Sequence, residues 1–444
     1  MEPVIETRTG ALQGVDMGAY TEYRGVPYAE PPVGENRWKP PVEKRPWTGI
    51  LRAERFAAIP PQRVPDGTAP WDGVYFKEFY ADPEYLRPQS EDCLYLNLWV
   101  PKGAEAGEKK LPVAFWIHGG AFAGGYGSEI EFGGAAFCRE GVILVTVDYR
   151  LGALGFLAHP WLTAESGRGA SGNYGLMDQI AALRWVRENI AAFGGDPDNI
   201  TVFGQSAGSM STQALVSSPL TEGMIAKAIL QSGLSCEDTL LYTPTLAEAE
   251  RIGTLFAQLA GAQDLAQLRA LPPQTLLRAQ DALTEKTLAI GISLVPNAEG
   301  CVLERTVPET YRAGKMRDIP YMVGSVNDDL GSTPTEIREQ LPGRLHRECL
   351  RWSARTEAAF GRPAYVYRFL HPLPGDASGA FHSAELWYMF GTYPRWWRPR
   401  TEADAALSGE MVSCWTTFMK TGAPTADGSW EPCRGADGYV KIFA

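Results

Sequence analysis

Apolar and polar positions along the chain predict a series of buried strands separated by turns. Apolar runs of about four to eight residues between turn signals are typical of strands in a buried sheet. Such runs occupy positions 95–100, 111–117, 142–147, 200–203, 321–324 and 364–369. Between the third and fourth runs, apolar residues recur at helical spacing from Leu176 to Ile190, and Gly194-Gly195-Asp196-Pro197 ends this predicted helix. The order strand, helix, strand implies crossover connections and a largely parallel sheet, with functional residues at the carboxyl ends of its strands.

The rest of the pattern indicates the domain organisation. Residues 243–283 are rich in Ala, Leu, Gln and Arg with helical periodicity, and the last two apolar runs then return to strand-like character. The chain has no internal repeat, no low-complexity tract and no linker between two compositions. We therefore expect a single α/β domain over 1–444, with helical insertions at 234–319 and 332–362 that cover the functional residues at the edge of the sheet.

Composition and charge narrow the class of protein. With 444 residues, 45% hydrophobic and 21% charged, the chain is expected to be globular. Its 41 Lys and Arg residues against 52 Asp and Glu residues give a formal net charge of -11, which argues against nucleic acid as a partner. The N-terminal sequence lacks the basic start and apolar segment of a secretory signal, and no apolar run is long enough to span a bilayer. We expect a soluble protein without membrane insertion.

The cysteines indicate the redox environment. They are seven in number, widely spaced, and include no C-x-x-C pair. An odd and scattered set indicates neither a disulfide framework nor a zinc site. A reducing cytoplasm is the expected location, unless a signal peptide has been removed.

The sequence Gly204-Gln205-Ser206-Ala207-Gly208 is the first candidate site. It follows the predicted strand 200–203 and precedes an apolar run that begins a helix. In this context G-x-S-x-G predicts a sharp, strained turn that presents Ser206 as a nucleophile. The amide of Ala207 then lies at a helix N-terminus, where free N–H groups and the helix dipole stabilise an oxyanion. A glycine-rich turn with a structural serine is the alternative interpretation.

A second motif favours the catalytic interpretation. His118-Gly119-Gly120-Ala121 also follows a predicted strand, and its H-G-G-x pattern supplies backbone oxyanion donors in serine hydrolases. Gly120 and Ala121 are the candidate donors, because small side chains let the backbone approach a reacting carbonyl. We expect His118 itself to anchor the loop.

The acid and the base should follow Ser206 in that order. Of the later histidines, His346 lies on what reads as an exposed helix face and His371 at a strand end, whereas His382 lies in a small-residue loop long enough to reach the sheet. His382 is therefore the expected base. The loop after strand 321–324 offers Asp328 and Asp329, and we favour Asp329 as the acid.

Several long motifs, in the same order along the chain, resemble the type-B carboxylesterase family of α/β-hydrolases. They are the two motifs described above and the segments 23–29, 31–34, 91–97, 172–179 and 382–386. The resemblance covers nearly the whole chain. It implies an α/β-hydrolase fold, with Ser206 as nucleophile, Asp329 as acid, His382 as base, and Gly120, Ala121 and Ala207 as oxyanion donors.

The chain departs from the family pattern at three informative points. The acid is Asp329 where the family usually has Glu, so its loop must approach the histidine more closely. Gln205 replaces a common Glu before the nucleophile, which removes an attraction for quaternary ammonium groups and makes choline esters poor candidates. Only 53 positions separate Asp329 from His382, which is short for the family and predicts a reduced helical cap over a more open pocket.

The function implied by the resemblance is hydrolysis of carboxylic esters, with short to medium acyl or aryl groups, through an acyl-enzyme. No metal or other cofactor is expected, and the partner is a small ester molecule; the chain is expected to be a monomer or homodimer. Phe122, Gln205, Trp387 and Tyr388 are candidate pocket residues, although aromatic residues at such spacing also suit a core. The alternatives are an amidase, a thioesterase, a hydroxycinnamoyl (feruloyl-type) esterase, or a non-catalytic binding member of the fold.

Overall fold

The predicted strands assemble into one large sheet. A computed structural model describes residues 4–68, 72–104, 107, 110–237, 243–287, 294–435 and 438–444. The strands within these residues are β1 Val4–Thr7, β2 Gly10–Gln13, β3 Val15–Asp16, β4 Tyr20–Pro27, β5 Ile50–Arg52, β6 Tyr95–Pro101, β7 Leu111–Ile117, β8 Ile143–Val147, β9 Gly195–Gln205, β10 Lys227–Gln231, β11 Tyr321–Val326, β12 Tyr365–Phe369 and β13 Val440–Phe443. All six predicted strands are confirmed.

The strand order is that of a doubly wound sheet with antiparallel strands at one edge. Ten strands hydrogen-bond in the order β13-β12-β11-β10-β9-β7-β8-β6-β4-β3. The seven from β13 to β8 are parallel, and β6, β4 and β3 are each antiparallel to the preceding strand. A separate sheet contains β1, β2 and β5. The prediction of a mostly parallel central sheet is therefore confirmed.

Helices cover both faces of this sheet. In the described residues they are α1 Gly73–Tyr75, continued by a π-helical turn Phe76–Tyr80, then α2 Ala135–Arg139, α3 Gly152–Phe156, α4 Pro160–Glu165, α5 Tyr174–Asn189, α6 Ala207–Ser217, α7 Leu246–Leu259, α8 Leu265–Ala270, α9 Pro273–Thr287, α10 Val307–Arg312, α11 Pro334–Arg338, α12 Arg344–Phe360, α13 Leu386–Met389 and α14 Glu402–Thr421. The helix predicted from Leu176 to Ile190 corresponds to α5. None of the helices in the described residues has the length and hydropathy of a membrane span.

Strand periodicity divides the core into two layers. Along β7, Val113, Phe115 and Ile117 join the apolar cluster that contains α5, α6 and α12, while Ala114 and Trp116 join the cluster that contains α2 and α14. Successive side chains of a strand point to opposite faces, so a run that is apolar at every position can be buried on both sides. This explains why the central strands are continuous apolar runs.

The two predicted insertions differ in their relation to the sheet. Segment 234–319 contains α7 to α10, with α7 packed against α9 and α9 against α3. Segment 332–362 contains α11 and α12, and α12 packs directly on β11 and β12. Since α12 joins those two parallel strands, it is a crossover helix of the sheet.

A buried ion pair fixes the end of β8 to α5. The Arg150 guanidinium donates to both carboxylate oxygens of Asp178 at 2.8 and 2.7 Å, and the Arg150 backbone N–H also donates to this carboxylate at 3.0 Å. Arg150 is 2% exposed and Asp178 is fully buried. Removing one partner of such a pair leaves an uncompensated charge in the interior.

We expect Asp178→Asn to lower the free energy of unfolding by about 3–5 kcal/mol, because it leaves the Arg150 guanidinium buried without its counter-charge. Urea unfolding monitored by circular dichroism measures the change. Glu188→Gln is the control, since the Arg8–Glu188 pair is exposed and should contribute no more than about 1 kcal/mol. Equal effects of the two substitutions would contradict the expectation.

Candidate active site

The predicted site residues meet at the carboxyl edge of the parallel strands. Ser206 follows β9, and the loop that begins at His118 follows the neighbouring strand β7. Asp329 follows β11, and His382 lies in the loop after β12. Adjacent parallel strands bring their carboxyl ends to one edge, so residues far apart in sequence become neighbours.

The nucleophile turn is strained as predicted from its sequence. Ser206 has φ 56° and ψ -124°, a positive-φ conformation that a non-glycine residue rarely adopts. A Cβ atom on Gly208 would lie 2.0 Å from the Ile117 carbonyl oxygen, and one on Gly204 would lie 2.4 Å from the Gly208 carbonyl. Glycine is therefore required on both sides of the turn. The turn leaves Ser206 partly exposed at the start of α6.

Asp329 is hydrogen-bonded to His382. The His382 Nδ1–H donates to Asp329 Oδ1 at 2.6 Å, and both side chains are largely buried. The other carboxylate oxygen accepts from the Ser232 hydroxyl at 2.7 Å and from the Val326 backbone N–H at 3.2 Å. The Leu330 N–H also donates to Oδ1, at 3.0 Å. Four donors thus fix the carboxylate and its charge at the imidazole.

Asp328 faces away from this pair and has a different role. Its side chain accepts from the Asn327 amide at 2.8 Å and lies against Gly379, while its backbone N–H donates to Ala380 at 3.0 Å. An isolated β-bridge pairs Asp328 with Phe381. Asp328 therefore joins the acid loop to the base loop through its backbone, and burial raises the pKa of its carboxyl.

The loop after β7 has the tight backbone expected of an oxyanion loop. Gly120, Ala121 and Phe122 have φ values of 101°, 56° and 60°. The Gly120 carbonyl accepts from the N–H groups of Ala123 and Gly124 at 2.9 and 2.8 Å. Gly120 and Ala121 are exposed at the tip of the loop. Gly119 lies against the turn at Ser206, because a Cβ atom on Gly119 would be 3.2 Å from the Ser206 Cβ.

His118 lies beneath this loop. It is fully buried, its Nδ1 lies 2.8 Å from the Gly119 carbonyl oxygen, and its ring stacks on Tyr149 at 4.5 Å. Burial lowers the pKa of His118 to about 4, so the ring is neutral at pH 7. These contacts agree with an anchoring role for His118.

Gln205 directly precedes Ser206, and its side chain contacts His382. Its carboxamide nitrogen is 3.2 Å from His382 Nε2, and the side chain is buried. With Nδ1 directed to Asp329, the other ring nitrogen of His382, Nε2, faces the carboxamide of Gln205. A carboxamide at this position brings no net charge to the site.

Three further residues near the base were not identified from the sequence. Ser232 has φ 48° and hydrogen-bonds Asp329, Tyr75 directs its hydroxyl to the His382 carbonyl oxygen at 3.4 Å, and Glu385 is fully buried next to the base loop. Burial is the main cause that raises the pKa of Glu385 to about 7. Of the three, only Glu385 lies in a recognisable motif, 382–386. Ser232 and Tyr75 lie in segments that come close to His382 only in the folded chain, and no motif marks either position.

Several expectations about side chains need correction. His346 is 3% exposed on the inner face of α12, where it packs towards the sheet, so it is not on an exposed helix face; burial lowers its pKa to about 3. Trp387 stacks on Phe79 at 5.6 Å and is fully buried, as is Tyr388, whose hydroxyl donates to Asp404 at 2.7 Å. Phe122 is 1% exposed. These three aromatic side chains are packed in the core, and their role in a substrate pocket stays a prediction.

The arrangement has the chemistry of acyl transfer. A partly exposed serine, an imidazole oriented by a carboxylate, and a glycine-rich loop beside the serine are the parts needed for a covalent ester intermediate. Within the described residues, no group of three or more His, Cys, Asp or Glu side chains is suited to hold a metal ion.

Sequence comparison identifies the family. The profile of the carboxylesterase family matches residues 1–348 and 345–443. The chain belongs to the carboxylesterase family. The carboxylesterase is 34% identical to a para-nitrobenzyl esterase of Bacillus subtilis, over 96% of this chain and 91% of the relative. It is 38% identical to a fumonisin B1 esterase of Sphingopyxis macrogoltabida, over 84% of this chain and 64% of that longer protein.

Solved structures agree with this assignment. A PNB esterase structure superposes on the carboxylesterase with a TM-score of 0.85 and 31% identity, covering 100% of this chain and 96% of the other. A carboxylesterase of Geobacillus stearothermophilus gives a TM-score of 0.78 at 31% identity, covering 99% and 96% of the two chains. The α/β-hydrolase fold is thereby confirmed, and the protein is a carboxylic-ester hydrolase that acts on small esters.

The two aspartates provide a test of the acid. We expect Asp329→Asn to lower kcat for p-nitrophenyl acetate by about 10³–10⁴-fold, because an amide cannot hold the imidazole tautomer or stabilise the imidazolium. Asp328→Asn should lower kcat by less than about tenfold, since its side chain does not contact His382. Equal or reversed losses would identify Asp328 as the acid.

Buried carboxyls behind the oxyanion loop predict the pH dependence of stability. Tyr80 donates a hydrogen bond to Glu129, and Asp148 accepts from the Gly127 N–H at 2.7 Å. Burial raises the pKa of Glu129 and of Glu131, and raises that of Asp148 to about 7. The Glu129 charge further raises the pKa of Glu131, while the guanidinium of Arg395 opposes it. These carboxyls therefore hold protons in the folded protein at pH values where the unfolded chain, whose carboxyl pKa values are about 4, has released them.

We expect the free energy of unfolding to fall as pH rises from about 5 to 9, because the unfolded state binds fewer protons than the folded state over that range. Glu129→Gln should reduce the slope, whereas Glu140→Gln, on an exposed residue, should leave it unchanged. Urea unfolding at several pH values measures the slope. An unaltered slope in Glu129→Gln would show that Glu129 does not contribute to the pH dependence of stability.

Proposed function

We propose that Ser206, Asp329 and His382 are the catalytic residues of ester hydrolysis, with the backbone N–H groups of Gly120, Ala121 and Ala207 as the oxyanion hole. The observation that carries the proposal is the 2.6 Å contact between His382 Nδ1 and Asp329, with the opposite ring nitrogen 3.2 Å from the carboxamide of Gln205, the residue before Ser206. The order of the three residues along the chain is that of α/β-hydrolases.

The proposed reaction has two half-reactions. His382 Nε2 accepts the Ser206 hydroxyl proton as the serine oxygen adds to the substrate carbonyl, and the oxyanion accepts hydrogen bonds from the three backbone N–H groups. The C–O bond to the alcohol breaks, and the imidazolium returns its proton to the leaving alkoxide. Water then adds to the acyl-enzyme in the same way and releases the carboxylic acid, which restores Ser206.

For the substrate, we propose short to medium acyl or aryl esters in an open site. Gly120 and Ala121 are exposed and Ser206 is partly exposed, which supports access for a bulky ester. The neutral Gln205 supports uncharged substrates over quaternary ammonium esters. The names of the relatives, a para-nitrobenzyl esterase and a fumonisin B1 esterase, also support an ester bond as the target.

We also propose that the protein works in a reducing compartment, as a monomer or homodimer. All seven cysteines lie in the described part of the chain as free thiols, and six of them are buried. Buried free thiols are compatible with the cytoplasm. The elution volume of the purified protein, measured with light scattering, tests the oligomeric state.

The proposed nucleophile is tested with p-nitrophenyl esters from acetyl to decanoyl. We expect wild-type hydrolysis and a loss in Ser206→Ala of about 10⁵–10⁶-fold, because the acyl-enzyme cannot form. A fluorophosphonate probe should label the wild type and not the variant, while circular dichroism shows both to be folded. Labelling that persists in Ser206→Ala would place the nucleophile elsewhere.

A further inference from the structure

The oxyanion loop needs support from outside its own segment. Its three consecutive residues Gly120 to Phe122 have positive φ, and within the loop the Gly120 carbonyl accepts from the N–H groups of Ala123 and Gly124. Strained backbone conformations persist only where surrounding contacts determine them. Outside contacts are made at Phe122, whose carbonyl accepts from the Gly152 N–H at 2.6 Å, and at Gly125, where the loop re-enters the protein.

Gln62 supplies the contacts at Gly125. Its carboxamide oxygen accepts from the Gly125 N–H at 2.7 Å, and its carboxamide nitrogen donates to the Gly125 carbonyl at 3.0 Å. The same nitrogen also donates to the Pro60 carbonyl at 3.2 Å. The side chain is only 3% exposed, so water does not compete for these bonds. Both backbone groups of one loop residue are thus paired with a single side chain.

The position of Gln62 is itself fixed. Its backbone N–H donates to the Gln89 side chain at 3.0 Å, and Ile59 exchanges backbone hydrogen bonds with the 88–90 segment at 2.9 Å each. On the other side, His118 and Tyr149 support the start of the loop. The oxyanion loop is held at one end by the β7 junction, in the middle by the buried Phe122, and at the other end by Gln62.

We propose that Gln62 is a positioning residue for the oxyanion hole: its carboxamide pairs with both backbone groups of Gly125 and so aims the Gly120 and Ala121 N–H groups at the developing oxyanion. This inference rests on the proposed function of the site. Donors must lie within a few tenths of an ångström of their catalytic geometry, so loss of a buried anchor affects the transition state more than substrate binding.

Gln62→Leu is the first test, with Gln213→Leu as the matched control. Gln213 is 1% exposed and makes the same double pairing, to the N–H and carbonyl of Ser235 at 3.0 Å each. Both substitutions remove a buried carboxamide from a pair of backbone groups and should lower Tm by similar amounts. We expect only Gln62→Leu to lower kcat for p-nitrophenyl butyrate by about 10- to 100-fold, with KM changed less than about threefold.

A transition-state analogue sharpens this test. An aryl trifluoromethyl ketone adds the Ser206 oxygen to its carbonyl carbon and forms a tetrahedral oxyanion, so its affinity reports on the oxyanion hole. Its inhibition constant should rise in Gln62→Leu by about the factor lost in kcat/KM. An unchanged inhibition constant, or the same kcat loss in Gln213→Leu, would overturn the proposal.

Gln62→Glu adds a pH readout and carries the test if Gln62→Leu does not fold. The ionised carboxylate of this variant cannot donate to the Gly125 carbonyl, whereas the protonated carboxyl restores one donor and one acceptor. The ratio of the variant's kcat to that of the wild type should rise at least about fivefold from pH 8 to pH 6, because burial raises the pKa of such a carboxyl. A ratio that stays constant with pH would overturn the proposal.

The outcomes separate this inference from the proposed function. Wild-type activity with undiminished kcat in the Gln62 variants would refute the positioning role and leave the catalytic assignment intact. A wild-type protein that hydrolyses no ester and takes no fluorophosphonate label would refute both.

Discussion

Close approach of backbone to backbone at the ends of β7 and β9 is the constraint on which the site depends. The Gly208 Cα faces the Ile117 carbonyl so closely that an added Cβ would lie 2.0 Å from its oxygen. The same junction brings Gly119 against Ser206. Because β7 and β9 are adjacent parallel strands, one contact sets both the nucleophile turn and the start of the oxyanion loop. The strain at Ser206 persists because the packed strand ends allow no other path.

The Asp329 carboxylate is paired on both of its oxygens, and this pairing orients the chemistry. The Asp329 carboxylate has donors on both oxygens, so it can hold the His382 ring without competition from water. An aspartate is one methylene shorter than the glutamate common in the family. Here the Asp328–Phe381 bridge brings the Asp329 and His382 loops together, and the shorter side chain reaches the imidazole at 2.6 Å.

Glutamine carboxamides recur where loops must be fixed without charge. Gln62 pairs with Gly125, Gln213 pairs with Ser235, and Gln205 lies at His382 Nε2. A carboxamide offers a donor and an acceptor, which matches the two groups of a peptide unit and carries no cost of burying an ion. The buried carboxyls around Glu129 differ, since burial raises the pKa of each of them.

The sequence by itself determined the architecture and the residues offered for chemistry. Continuous apolar runs separated by a helical segment predicted the parallel sheet. The motifs G-x-S-x-G and H-G-G-x, each after a strand, predicted the turn at Ser206 and the loop after β7. All of these signals are local in the sequence. The helix face of His346, the core burial of Trp387 and Tyr388, and the contact of His382 with Asp329 and not with Asp328 were decided by tertiary structure. Each depends on which chain segment packs opposite, as α12 does on the sheet. The contacts of Gln62 and Ser232 likewise form only where distant loops cross, and neither position leaves a periodic or motif signal in the sequence.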